Sequence, residues 1–304
     1  MRAEPVAAAL IVPSPIAPKS NVQRHGTRIS SGMRCILLAS FVALTATFGV
    51  ALADATAVSA VAAGHNPDEL AKQLSNPVAA LISVPFQENI DFGYDGGGWR
   101  STLNVQPVIP INVNQDWNLI QRVILPFIVQ EDVGVPGSES GLGDVTATSF
   151  FSPKQVGPSG VIWGIGPAFL IPTATNDAFA SKQWGMGPSV LALKQEGKWT
   201  YGALVNHISK FAGSDYRPYL NSTFLQPFLS YGAGKGRTYA VNFESSYDWN
   251  NEQWTIPFNA SVSQIIPMGK QLASVSLGGR LYFDKPAGGP DWGLRLVFVL
   301  LFPR

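Results

Sequence analysis

The sequence predicts an all-β protein: a transmembrane antiparallel β-barrel of about twelve strands, preceded by a signal peptide and a short periplasmic helix. Three observations carry this expectation. Long runs alternate apolar with polar residues, the chain is poor in charge yet has few long apolar runs, and its connections alternate in length and charge.

The alternation is clearest between Arg237 and Ile265. Tyr239, Val241, Phe243, Tyr247 and Trp249 alternate with Thr238, Asn242, Glu244, Ser246 and Asp248. Beyond Asn250-Asn251, Trp254, Ile256, Phe258, Ala260 and Val262 alternate with Thr255, Asn259, Ser261 and Ser263. Successive side chains of a strand point to opposite faces, so each run has an apolar, aromatic-ended face and a small polar or charged one. Each run exceeds the roughly 5–6 residues of an ordinary strand and reaches the roughly 9–11 that cross a bilayer when tilted. A half-buried soluble sheet alternates in the same way, so this hairpin alone does not separate the two classes.

Composition separates them further. The 304 residues are 46% hydrophobic and only 13% charged, with 30 Gly and 23 Pro, and the mean hydropathy is +0.12. Soluble domains carry roughly 25% charged residues. No run after the N-terminal region approaches the roughly 20 apolar residues of a membrane helix. An apolar composition without apolar runs fits a barrel.

Residues 1–53 read as an N-terminal extension and signal peptide. Met33-Arg34, the apolar run from Cys35 to Val50 and the small residues Ala51-Leu52-Ala53 give the basic region, apolar stretch and A-x-A site of a secretory signal, and Met33 reads as the start. Removing 1–53 takes five of the 21 basic residues and one of the 20 acidic ones, leaving a net charge of −3. No basic patch points to nucleic acid. Cys35, the single cysteine, leaves with the signal, and His65 and His207 are too few for a histidine metal cluster. No metal or other cofactor is expected.

Residues 54–80 read as a periplasmic leader. Asn66 as N-cap, Pro67 at the first helical position and Asp68-Glu69 in the first turn start a helix, which Ser75-Asn76-Pro77 ends. The barrel is expected over 81–304. Its strand-like runs fall near 81–93, 100–112, 117–130, 142–152, 160–171, 184–195, 199–210, 220–231, 237–249, 252–265, 270–283 and 291–302. The links near Val113, Pro153, Gly197, Lys235 and Gly269 are compact, whereas those at 131–141, 172–183, 212–219 and 284–290 are longer and rich in Asp, Gly, Pro and Ser. Short periplasmic turns and longer external loops are the barrel pattern. Charge sorts the same way: Lys154, Lys194, Lys198, Lys235 and Lys270 lie at the turns, Glu131, Asp132, Glu139, Asp177, Asp215, Asp284 and Asp291 at the loops. Trp99, Trp117, Trp163, Trp184, Trp199, Trp249, Trp254 and Trp292 all fall at or near strand ends, as interfacial girdles require. The last strand, Trp292 to Phe302, alternates and ends on an aromatic, resembling the signal read by the barrel assembly machinery.

Several segments resemble one bacterial outer-membrane family. They are Asn76–Pro85, Asn104–Pro110, Gly141-Leu142-Gly143-Asp144, Phe150-Phe151-Ser152-Pro153, Leu170–Thr175, Gln226–Tyr231 and Gly293-Leu294-Arg295. The family carries the label meta-pathway of phenol degradation, is described as transporter-like and is sometimes labelled neuromedin U. The resemblance spans nearly all of the mature chain and implies an outer-membrane barrel, without fixing a solute or a site residue.

The alternation assigns a lumen. Asn104, Gln106, Arg122, Asn242, Glu244, Asp248, Arg280 and Arg295 are expected to point inward along the solute path. About twelve strands lie between a barrel of roughly eight, filled by side chains, and open porins of roughly 16–18. Charges of both signs in such a lumen either pair and close it or line a constriction that selects solutes; both readings stand. Prolines recur within strands at Pro85, Pro107, Pro126, Pro167, Pro188, Pro227 and Pro257. Proline cannot donate to the ladder, so these positions mark bulges or, on the sharper reading, a gap through which an apolar solute leaves sideways.

One constellation could carry chemistry. His207 and Ser209 share a strand face, and Asn221 has the same face on the next strand. This resembles the site of outer-membrane phospholipase A, with Ser209 as nucleophile, His207 as general base and Asn221 orienting it; Lys210-Phe211-Ala212 departs from the flanking residues of that family. The reading of the sequence is a bacterial outer-membrane channel, not an enzyme, passing small solutes including hydrophobic or aromatic ones. Its expected partners are outer-membrane lipid and lipopolysaccharide, the assembly machinery and the solute. Lipid hydrolysis and a barrel without flux are the alternatives.

Overall fold

The computed structural model describes residues 66–302 apart from Lys270. The expected signal peptide, the leader up to His65, Lys270 and the last two residues lie outside them. A short helix, α1 (Pro67–Leu74), precedes sixteen β-segments. These are β1 (Ile82–Phe92), β2 (Trp99–Val105), β3 (Val108–Asn112), β4 (Trp117–Glu131), β5 (Ser138–Leu142), β6 (Val145–Pro153), β7 (Val161–Ile171) and β8 (Gln183–Glu196). They continue with β9 (Trp199–Gly213), β10 (Asn221–Gly234), β11 (Arg237–Phe243), β12 (Ser245–Asp248), β13 (Gln253–Thr255), β14 (Pro257–Met268), β15 (Gln271–Tyr282) and β16 (Trp292–Phe302).

Four pairs of segments, β2 with β3, β5 with β6, β11 with β12 and β13 with β14, each make one interrupted strand. The wall therefore has twelve antiparallel strands. It closes where β1 meets β16, in register from Ile82 opposite Phe302 to Phe92 opposite Trp292. The expected class is observed, but four of the expected runs are not continuous. They break at Gln106-Pro107, Gly143-Asp144, Glu244 and Ile256. A proline stands at or against each of these breaks. Pro107 sits in the first, Pro126 faces the second, and Pro257 follows the fourth and accepts the Glu244 N–H (3.1 Å) of the third. Gln106 N–H to Pro85 O (2.8 Å) and Gly143 N–H to Pro126 O (2.9 Å) hold neighbouring strands together across the first two. The fourth strand begins at Ser138 rather than near residue 142, because β5 pairs with β4 through the stretch expected as loop.

Two further interruptions mirror each other across β7 and β8. Pro167 and Pro188 stand opposite one another. On either side, pairing of β7 with β6 skips from Ala168 to Ile165, and pairing of β8 with β9 skips from Met186 to Ser189. The glycines before these prolines sit hard against the neighbouring strands: a Cβ on Gly166 would lie 1.8 Å from Ser149 O, and one on Gly187 the same distance from His207 O.

The faces follow the expected alternation. Ile109, Phe127, Ile165, Val205, Leu277 and Leu294 belong to an outward apolar surface contributed by strands all round the wall. Soluble monomers rarely expose apolar patches beyond roughly 300–600 Å², so this belt is a lipid-facing surface. Aromatic rings gather at both ends of it. Phe92 stacks on Trp292 (4.7 Å) at the loop end, and at the turn end Trp117 meets Trp163 edge-on (5.8 Å) and Trp199 packs on Tyr231 (4.7 Å).

Both mouths are covered. The Asn66 side chain caps α1 by accepting the Asp68 N–H (2.9 Å), as its sequence predicts. Leu70 and Ala71 then pack with Leu81, Ile265, Leu272, Val299 and Leu301 inside the turn end. The Asp68 carboxylate accepts from Gly236 N–H and Gln195 Nε2 donates to Lys72 O (2.9 Å), which fastens the helix to two turn-end strands. At the loop end, residues 172–182 fold inward and bury Phe179 against Ile128.

Candidate functional site

The interior between these covers is polar. Inward alternation places Asn89 and Asp91 of β1, Arg100 and Asn104 of β2, Gln130 of β4, Asn259 of β14, Arg280 of β15 and Arg295 of β16 in it, all buried. Glu244, at the break between β11 and β12, joins them. Arg295 donates to both oxygens of Glu244, Nη1 to Oε1 at 2.8 Å and Nη2 to Oε2 at 2.6 Å, and its Nε donates to Asn89 Oδ1 at 2.7 Å. Arg280 lies 3.4 Å from Asp91 Oδ2 and 3.9 Å from Glu244 Oε2. Two carboxylates and two guanidiniums therefore form one network. Such pairing is what lets charge persist in a low-dielectric interior.

A second chain of bonds runs toward the loop end. Arg100 Nε donates to Gln130 Oε1 (2.9 Å), and Gln130 Nε2 donates to Glu139 Oε2 (2.7 Å). The Arg100 guanidinium also sits over the ring of Tyr94 at 5.6 Å. Burial pushes the Tyr94 phenol up to about 12, against the opposing pull of Arg100. At the loop surface, the hydrogen bond and charge of Lys182 hold the Asp177 carboxyl below its usual range.

Each residue expected in the lumen can now be placed. Arg280, Glu244 and Arg295 come together. Asn242 accepts from Asn259 Nδ2 (2.8 Å), and Gln106 accepts from Arg122 Nη2 (2.8 Å). Asn104 is buried, and among the described residues its Oδ1, like Asp91 Oδ1 and Arg280 Nε, has no hydrogen-bond partner. Asp248 is buried too, but its carboxylate accepts the N–H groups of Asn250 (2.8 Å) and Asn251 (3.3 Å), so it serves the hairpin turn. Gln106, Arg122 and Glu244 also line a cavity of about 60 Å³ beside Phe150, Phe224 and Asn206.

Asp91, Asn89, Asp144 and Gln183 were not singled out by sequence reasoning. Asp144 accepts the N–H groups of Ala174 (3.0 Å) and Ser181 (2.7 Å) and so pulls the 172–182 loop into the mouth. Gln183 donates to Ser214, Arg217 and Pro218 carbonyls and accepts the Leu220 N–H (2.8 Å), which pins the next loop. The inward alternation of β1 contained the signal for Asn89 and Asp91; no periodic pattern marks the other two.

His207, Ser209 and Asn221 lie on the outer face, as expected. Ser209 is the register partner of Asn221, and His207 that of Thr223. The imidazole Nδ1 is 2.9 Å from Thr223 Oγ1, which also accepts from Trp249 Nε1 (2.8 Å). Among the described residues no hydrogen bond joins His207 to Ser209 or to Asn221. The three residues share a patch without being assembled as nucleophile, base and orienting group.

A scan against family models and a search of curated proteins find no match to this chain. Among solved structures, the chain is similar to an outer-membrane channel from Pseudomonas putida, at 18% identity and a TM-score of 0.57, over 73% of this chain and 94% of that one. It also matches outer-membrane phospholipase A from Escherichia coli, at 12% identity and a TM-score of 0.43, over 79% and 99% of the two chains. The first likeness identifies the fold as that of bacterial outer-membrane barrels; the second is too loose to bear on chemistry.

Proposed function

We propose that the protein is an outer-membrane channel for small solutes, with the short turns on the periplasmic side and the longer loops outside the cell. The observation that carries this reading is the interior. The interior of a lipid-facing barrel is polar whether open or plugged; this one buries guanidiniums, carboxylates and amides, and among the described residues several buried polar atoms have no protein partner and face space that a polar solute or water can fill. Such a lining is built for polar contents and selects by charge. Helix α1 and the 172–182 loop act as covers that move for passage. The likeness to a channel supports the reading by fold, and the resemblance to the phenol-degradation family suggests, without more, that aromatic solutes are among the cargo. The C-terminal strand would engage the assembly machinery, and the apolar belt lipid and lipopolysaccharide.

Reconstitution in planar bilayers tests the proposal. Discrete current steps, or flux of small solutes into protein-loaded vesicles, are expected. Correctly folded protein that yields neither would reduce it to a structural barrel.

A further inference from the structure

Among the described residues four guanidiniums enter the interior, and two of them pair directly with a carboxylate. Arg295 holds Glu244, Arg280 neighbours Asp91, and Arg100 connects to Glu139 through Gln130. Arg122 differs. Its hydrogen bond runs to the neutral amide of Gln106, and among the described residues no carboxylate stands within ion-pair distance of it. Glu244 lines the same cavity, but both its oxygens are already engaged by Arg295. The guanidiniums of Arg122, Arg280 and Arg295 against the carboxylates of Asp91 and Glu244 leave one positive charge in mid-barrel. Arg122 is only partly buried, so an anion entering the cavity can reach it, and a charge facing so enclosed a space gains from a counter-charge.

The surroundings of Arg122 define what that counter-charge can be. The cavity is about 60 Å³, room for a few water-sized groups at roughly 10–15 Å³ each. Gln106 and Asn206 give it a polar side, Ile124, Phe150 and Phe224 an apolar one. We propose that it is a subsite for a small monocarboxylate of the size of acetate or propionate. The carboxylate rests on the Arg122 guanidinium, whose planar fork suits two parallel hydrogen bonds, and the hydrocarbon end lies against Phe150 and Phe224. Glu244 explains the restriction to one carboxylate: a second anionic group in so small a cavity meets like charge. The proposal rests on the channel reading for the anion's route, although binding itself is independent of flux.

The test uses protein purified in detergent, with acetate as probe and saturation-transfer NMR on its methyl signal. Acetate and propionate should compete for one site; acetamide, of the same shape without charge, and succinate should not. Arg122→Gln should weaken acetate by about tenfold or more, the scale of a lost charge-assisted contact, and Arg122→Lys should recover part of it. Equal signals from acetate and acetamide, or full binding by Arg122→Gln, would overturn the subsite. Should Arg122→Gln fail to assemble, the acetate and acetamide comparison in the unaltered protein decides alone. Acetate binding without any bilayer current would sink the channel reading and leave the subsite standing. Current without charge-dependent binding would do the reverse.

Discussion

Glu244 and Arg295 meet in a two-bond ion pair although three strand steps separate them around the wall. At roughly 4.7–4.9 Å per step, their backbones stand on the order of 14 Å apart, and the side chains span a chord of the barrel. The pair ties the interrupted β11–β12 strand to the closing strand. Removing one member, by Glu244→Gln or Arg295→Met, strands a buried charge, a change that costs about 3–5 kcal/mol. Replacing both members should restore much of the loss. Urea unfolding in detergent, followed by tryptophan fluorescence, checks this, and a double variant no better than the singles would show that the pair does not act as a unit.

Helix α1 covers the turn-end mouth with an apolar anchor of Leu70 and Ala71, flanked by Leu74 and by the bonds at Asp68 and Lys72. Leu70→Asp should undock it while leaving the wall intact. In bilayers the variant is expected to conduct more, with longer open times, at unchanged heat-modifiability on gels. Identical currents would mean that the helix lies outside the path.

The orientation is open to labelling. With Cys35 expected to leave with the signal, single cysteines at Pro136 and Tyr216 on the loops should react with an impermeant maleimide on intact cells. One at Lys198 on a turn should react only after lysis. The reverse pattern would invert the proposed topology.

Gly166 and Gly187 leave no room for a methyl group, and each would drive it into a backbone carbonyl that cannot rotate away. Gly166→Ala and Gly187→Ala should therefore impair assembly; overpacking alone costs about 1–3 kcal/mol. Gly279→Ala, which meets nothing within 4 Å, is the matched control. The folded fraction on semi-native gels reports all three.

Lipid hydrolysis is expected to be absent. If Ser209 were a nucleophile, Ser209→Ala would abolish release of fatty acid from phospholipid vesicles, since losing one member of a working pair removes roughly 10⁶ in rate. Ser209-dependent release by the purified protein would make it an enzyme.

The sequence displayed the wall more plainly than the site. Where alternation is strict, as around Tyr239–Val262 and Trp292–Phe302, inward Asn242, Glu244 and Arg295 could be read directly. In β1 the pattern is blurred, because Glu88 stands on the apolar face, where its carboxylate accepts from Ser101 Oγ (2.6 Å). With acids on both faces, Asp91 did not stand out. Which inward charges pair was beyond reach, since partners such as Glu244 and Arg295 are brought together by the curvature of a closed wall rather than by spacing. The strand breaks were hidden for a related reason. A proline removes one donor, but where the chain recovers its pairing depends on the neighbouring strand. Asp144 and Gln183 act on distant backbone groups, and no local pattern records that.

The seam between β1 and β16 imposes an order on biogenesis. All other pairings join strands that follow one another along the chain, and each can form as the chain lengthens. The seam alone brings the first strand to the last. Until the 11 residues of β16 arrive, β1 and β15 are both raw edges, each displaying unpaired backbone groups that hydrocarbon does not tolerate. A chain cut short before Trp292 is therefore not a slightly weaker barrel but an open ribbon, prone to join another ribbon or to be degraded.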